Sequence, residues 1–207
     1  KLAFERAAAP ASVALNTEGT PPLTSLDWAH WGGVGTTLPA SPLVPIAKAS
    51  ATEISNATQE GTGTISLATA TTLPVITANS WLGGDTTPSA TGIKTGIANT
   101  GGAVGRGFSF TVPAASANMK TLKLYVGAAN TSTTSAQPVK LELFWGASTI
   151  PAVVDVLPAF ANATNNYVYT INLRHVTAGT TLKVKWSTNT TTTTHRAVLQ
   201  SAVLLQN

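Results

Sequence analysis

The 207 residues carry twelve Lys and Arg against eight Asp and Glu, so only 10% of the chain is charged, where globular proteins average about 25%. Hydrophobic residues make up 43%, and Thr (35) and Ala (32) dominate, which suits one domain with a buried core and excludes a disordered polyampholyte, a coiled coil and a collagen-like fibre. The net charge of +4 reflects scarce acids and no basic cluster beyond Lys183 and Lys185, an argument against nucleic-acid binding.

Cysteine is absent, which excludes disulfides and thiolate metal sites. No apolar run reaches the roughly 18 residues of a membrane span. Few charges, abundant Thr, Asn and Gly and no Cys together point to a protein that is secreted, extracellular or held at the cell surface. Its expected partners are a polysaccharide or surface glycan and copies of itself, with no nucleic acid and no membrane span.

In chain order, residues 1–11 read as a leader or donor segment, with Ala7-Ala8-Ala9-Pro10-Ala11 before the first β-favouring stretch. Residues 12–207 read as a single β-sandwich domain. Ser12–Leu15, Ala47–Ile54, Thr64–Leu67, Val75–Thr77 and Gly92–Ile97 are short β-favouring stretches between turn residues such as Pro21-Pro22, Gly32-Gly33, Gly83-Gly84 and Gly101-Gly102. From Gly107 onward the apolar/polar alternation is clear. Phe108, Phe110 and Val112 share a face before Pro113. Leu122–Val126 repeats the pattern, and Val139, Leu141, Leu143 and Trp145 alternate with Lys140, Glu142 and Phe144. Tyr167–Leu173 and Leu182–Trp186 follow, then Thr190–Thr194, a hairpin loop or an extended edge, and a closing strand from His195 to Leu205. Nine to eleven short strands and almost no helical periodicity predict an all-β fold, a single antiparallel two-sheet sandwich of jelly-roll type.

The densest group of functional side chains is Asp27-Trp28-Ala29-His30-Trp31-Gly32. In an extended chain Asp27, Ala29 and Trp31 share one face, Trp28 and His30 the other. Two readings are open: both indoles lie in the core with His30 bonded to a carbonyl, or one meets solvent and stacks on the apolar face of a sugar ring. Trp81, in Ser80-Trp81-Leu82-Gly83-Gly84-Asp85, reads as a loop tryptophan beside glycines. Trp28, His30, Trp31, Trp81 and Asp85 are the candidate ligand-binding residues. Trp145 and Trp186 continue apolar alternations and read as core. Tyr125, Tyr167 and Tyr169 are candidates for an outer sheet face.

Catalytic signatures are missing. Asp27, Asp85, Asp155 and Glu142 lack the context of a glycosidase carboxylate pair, and no Gly-x-Ser-x-Gly elbow occurs. His30, His175 and His195 show no metal-ligand spacing, and Gly101–Gly107 lacks the Lys-Ser/Thr of a phosphate loop. The reading is therefore a non-enzyme without a cofactor; a structural calcium held by carbonyls and carboxylates is the one ion the composition leaves open.

The pieces Thr17-Glu18-Gly19, Leu26–Gly32, Trp81–Pro88, Gly105–Ala114, Thr121–Gly127, Tyr169-Thr170-Ile171 and Leu182–Trp186 together resemble an accessory module of secreted bacterial proteins, with the Asp-Trp-x-His-Trp-Gly element as its most specific part. The resemblance implies a jelly-roll-like, non-catalytic module similar to carbohydrate-binding modules. A different function class fits the undecorated, charge-poor domain as well: a self-assembling subunit of an extracellular filament, sheath or surface layer that donates its N-terminal segment as a strand.

Overall fold

The computed structural model describes residues 1–17, 24–71, 77–101, 103–114, 117–132, 134, 136, 138–160 and 163–206. Among these the regular elements are all strands: β1 (Leu2–Ala8), β2 (Ser12–Ala14), β3 (Thr24–His30), β4 (Ile46–Ala47), β5 (Thr58–Glu60), β6 (Thr64–Thr69), β7 (Ala78–Leu82) and β8 (Ser89–Ile93). They continue with β9 (Thr95–Thr100), β10 (Gly107–Pro113), β11 (Lys120–Asn130), β12 (Val139–Trp145), β13 (Val153–Val156), β14 (Ala163–Leu173), β15 (Thr181–Thr188) and β16 (His195–Gln206). No helix among the described residues is long and apolar enough to cross a membrane.

Two sheets face each other across the main core. One has eight strands in the order β1-β14-β11-β16-β3-β4, with β9 also pairing with β16 and β6 with β9. The other has five, in the order β13-β12-β15-β10-β5. Period-two alternation does the sorting. Phe108, Phe110 and Val112 of β10, Leu182, Val184 and Trp186 of β15, and Val139, Leu141 and Leu143 of β12 pack against Leu122, Leu124, Val126, Tyr169, Ile171 and Leu204 of the opposite sheet. Gathering this apolar surface out of water is the dominant stabilising term.

β16 is the hub of the larger sheet. Its first half pairs with β9 and its second with β3, antiparallel in both cases. The partners meet at Gly32 and Gly96, where a Cβ on Gly32 would lie 2.7 Å from the Gly96 nitrogen. Gly32 also has a φ of +98°, so only glycine lets one strand end where the other begins.

A third sheet, β2-β7-β8, covers part of the outer face of the eight-stranded sheet, and its β2–β7 pair is parallel. Beneath it lies a second core of Val13, Leu15, Trp28, Trp81, Tyr125, Val203 and Leu205. The sandwich is thus locally three layers deep, an addition to the two sheets expected from alternation.

Other departures are local. Residues 2–8 form edge strand β1, antiparallel to β14 from Leu2↔Leu173 to Ala8↔Tyr167. Of the stretch expected over Ala47–Ile54, Ala47 lies in β4 and Lys48 makes an isolated bridge to Gly84, and the expected Gly92–Ile97 strand is broken at Lys94 into β8 and β9. Val75 and Ile76 of the stretch expected at 75–77 lie outside the described residues, as do Glu18–Leu23 and Gly102, and Thr77 is not in a strand.

Candidate functional site

The tryptophan–histidine cluster comes together, but inside the molecule. β3 is extended, so Ala29 and Trp31 enter the main core and Trp28 the second core, on opposite faces. Trp28, His30 and Trp31 are 0% exposed and Trp81 2%. Trp81 sits in strand β7, not in a loop, with ring centroids 5.6 Å from Trp28 and 5.0 Å from His30. Its indole N–H donates to the Thr87 carbonyl at 3.0 Å. Trp31 packs on Phe110 at 5.4 Å and donates to the Leu43 carbonyl. These four residues therefore offer no ring face for a sugar: the third sheet covers the face that Trp28 and His30 would otherwise present to water.

His30 is fixed as one tautomer. Thr95 gives its hydroxyl proton to the Gly33 carbonyl, so the 3.0 Å contact between His30 Nε2 and Thr95 Oγ1 requires Nε2–H as donor. Nδ1 has no partner. Burial lowers the His30 pKa to about 4, with the Gly33 contact opposing, so the ring is neutral at neutral pH. Asp27, also fully buried, accepts from the backbone N–H groups of Trp28 (2.7 Å) and Ile54 (2.8 Å) and anchors the irregular segment after β4. Burial raises its pKa, and the backbone hydrogen bonds oppose that rise.

Asp85 stands apart and exposed. Its Oδ1 accepts from the N–H groups of Ala47 and Thr86, and the residue borders a shallow depression of about 290 Å³ with Val44, Pro45, Ser55 and Asn56. The three tyrosines do not share an outer face. Tyr169 is in the main core, Tyr167 packs against it, and Tyr125 lies under the third sheet. Among the described residues no group of three or more His, Asp or Glu side chains comes together that could hold a metal ion.

The polar phase of the five-stranded sheet gathers chemistry that the aromatic motif does not. Registers place Lys140 beside Ser187 and Val156, Glu142 beside Lys185 and Val154, and Phe144 beside Lys183. On the far side Lys183 neighbours Thr111, and Lys185 neighbours Ser109. Glu60 closes the array: its carboxylate meets Lys183 at 2.8 Å, Lys185 at 3.8 Å and the Ser109 hydroxyl at 2.6 Å. Glu142 meets Lys140 at 3.0 Å and Lys185 at 3.6 Å. Lys183 stands 5.8 Å from the Phe144 ring centroid in cation–π contact, and Val154 and Val156 are exposed alongside.

Desolvation alone would raise the Glu60 pKa. Hydrogen bonds from Lys183 and Ser109, and the charges of Lys183 and Lys185, outweigh it and bring the net shift below the ordinary value. Lys140, Glu142, Lys183 and Lys185 were visible in the sequence as the polar phase of two alternating strands. Glu60 was not, because Thr58–Glu60 is a three-residue strand without alternation.

No family model matches the chain, and no curated protein matches it. Solved structures do. The xylan-binding CBM22-1 domain of Paenibacillus barcinonensis Xyn10C is 12% identical, with 89% of this chain aligned to 95% of that one at a TM-score of 0.43. A CBM4 structure is 9% identical over 69% of this chain and 86% of that one, TM-score 0.37. The enzymatically active domain of bacteriophage CBA120 tailspike protein 4 is 12% identical over 75% of this chain, TM-score 0.40, and this chain spans only 20% of its length.

Proposed function

We propose that this chain is a non-catalytic, extracellular β-sandwich module that binds a polysaccharide or surface glycan across the outward face of the five-stranded sheet. One observation carries the reading. A chain with only twelve Lys and Arg and eight Asp and Glu places Glu60, Lys140, Glu142, Lys183 and Lys185 on that single face, mutually paired. Paired amines and carboxylates are strong hydrogen-bond donors and acceptors, yet the array is near neutral, which suits a ligand rich in hydroxyls and poor in charge. Among the described residues Glu142 Oε2 and Ser187 Oγ have no hydrogen-bond partner. A ligand hydroxyl that displaces the flexible Lys140 or Lys185 head group reaches that spare capacity. Val154 and Val156, exposed beside the array, supply the apolar contact for ring C–H faces.

Glycoside hydrolysis also uses two carboxylic groups, but one must be protonated to act as general acid. Glu60 is held ionised by its lysines, the wrong state for that role. Affinity electrophoresis through gels containing soluble xylan, mixed-linkage glucan or mannan tests the reading. At least one polysaccharide retards the wild type, and Glu142→Ala/Lys185→Ala, shown by circular dichroism to be folded, migrates unretarded. Equal migration of both proteins in every gel overturns it.

A second reading rests on β1. That strand is held through one edge, by β14, with Arg6 reaching Asp155 of the other sheet at 2.6 Å. Its remaining edge is unpaired among the described residues, and Ala9-Pro10-Ala11 links it to β2. The same segment from a second copy would find the same register on β14, which is strand donation in a filament, sheath or surface layer. The two readings are compatible, since a glycan-binding body can be a building block.

A further inference from the structure

One buried polar group is used by neither reading. At the end of the sandwich where β10 begins and β15 runs out, the Thr188 N–H donates to the Arg106 carbonyl at 2.8 Å and the Gly105 N–H to the Thr188 carbonyl at 2.9 Å. Arg106 is two residues before Phe108, so it shares the inward phase of that strand. It is 0% exposed. Its Nε donates to the Ala103 carbonyl and its Nη2 to the Thr192 carbonyl, at 2.9 and 3.2 Å. Nη1 has no partner.

Across the gap, on the other sheet, His195 opens β16 opposite Asn130. It shares the inward phase of Ala197 and is likewise 0% exposed. The ring meets Phe160 edge-on at 5.1 Å, and neither ring nitrogen has a hydrogen-bond partner among the described residues. The hydroxyl oxygens of half-buried Thr192 and Thr194, in the loop that joins β15 to β16, are also shielded and have no partner among the described residues. Burial first, and the charge of Arg106 second, lower the His195 pKa to about 4, so the guanidinium field reaches the imidazole.

The sum is a fixed positive charge, two hydroxyls and an imidazole, all shielded from water. No Asp or Glu pairs with Arg106 among the described residues. A buried cation without a counter-charge is strongly unfavourable, and each unmade hydrogen bond adds a smaller penalty. The spare groups are donors or can serve as donors. A water accepts at most two of them and leaves the charge uncompensated.

We infer that Arg106, Thr192, Thr194 and His195 form a binding site for a small inorganic anion that closes the open end of the sandwich. The ion bridges the two sheets and pins the Thr190–Thr194 loop over the core.

Protein NMR of the full chain tests this. The Arg106 Nε–H and His195 ring resonances are followed while sodium chloride or sodium phosphate is added, with ionic strength held by the bulky HEPES anion. At least one of the two ions should produce a saturable shift. Thr192→Val/Thr194→Val should weaken that binding about fivefold or more, the loss of one or two hydrogen bonds to a charged group. Arg106→Gln should abolish it; if that variant does not fold, the threonine pair decides. A response to chloride alone assigns a halide site and one to phosphate alone an oxyanion site, and either supports the inference. No saturable shift with either ion, or unchanged affinity in the folded threonine variant, overturns it.

Discussion

The His30 imidazole packs on the Trp81 indole with ring centroids 5.0 Å apart, joining the eight-stranded sheet to the small sheet laid over it. Neither residue reaches solvent. The pair is a seam between layers, and its chemistry follows from being dry.

Acid should therefore loosen the fold. His30 and His195 both have pKa values lowered to about 4, chiefly by burial, against an unfolded value near 6.5. A depressed folded pKa contributes stability that is full above the unfolded value and disappears as pH falls through the folded one. The window for both rings is thus pH 6.5 down to 4, worth on the order of 3 kcal/mol at its limit for His30, while an anion bound beside His195 narrows that ring's share. Glu60, lowered by its lysines, acts in the same direction below the usual carboxylate pKa. Asp27, raised by burial, runs oppositely: its contribution is present in acid and fades as pH rises past the ordinary Asp value. Urea melts at pH 7.5 and 4.5 should show a clear loss at the lower pH, smaller in His30→Gln. Equal midpoints at the two pH values contradict the buried-neutral assignment.

Tryptophan emission reports the same burial. Trp28, Trp31, Trp81 and Trp186 are at most 2% exposed, and Trp145 alone is half-buried. Iodide should quench only a minor fraction of the fluorescence, and that fraction should vanish in Trp145→Phe. Trp81→Ala should cost about 3–5 kcal/mol, as for other large-to-small core changes. Strong quenching that Trp81→Phe removes would place that indole at the surface.

Asp27 holds the segment after β4 through the Ile54 N–H. Asp27→Ala should lower stability by about 1–3 kcal/mol, because two buried N–H groups lose their acceptor. Limited proteolysis should then cut between Ala47 and Ala57 before the rest of the chain. Wild-type protection of that segment would show that other contacts suffice.

Strand donation makes a separate prediction. A chain lacking residues 1–11 exposes the β14 edge and leaves Asp155 without Arg6, so a labelled peptide of residues 1–11 should bind it in trans. Fluorescence anisotropy measures this. Binding by the truncated chain and none by the intact one is the expected result; no binding by either removes the second reading.

Much of the sandwich was legible in the sequence, since Phe108-Ser109-Phe110 and Leu182-Lys183-Val184-Lys185-Trp186 leave their faces little choice. The opposite faces of Trp28 and Trp31 were legible too. What period two does not encode is a third layer: it tells which side a residue faces, not what covers that side. Trp28 and His30, whose face suits a sugar platform, therefore lie beneath β2, β7 and β8 without period two announcing it. Trp81 next to two glycines reads as a loop because the turn begins one residue after its strand ends. The Glu60–Lys183 contact spans a long stretch of chain and joins strands whose pairing only the tertiary fold sets.

The most direct test of the glycan-face reading is a titration of isotope-labelled protein with the oligosaccharide of whichever polysaccharide retards it, read by amide and lysine side-chain shifts. Saturable shifts confined to β5, β10, β12, β13 and β15, largest around Glu142 and Lys185, are the expected result. Shifts centred on Asp85 and the Val44–Asn56 segment, or no saturable shift at all, contradict it.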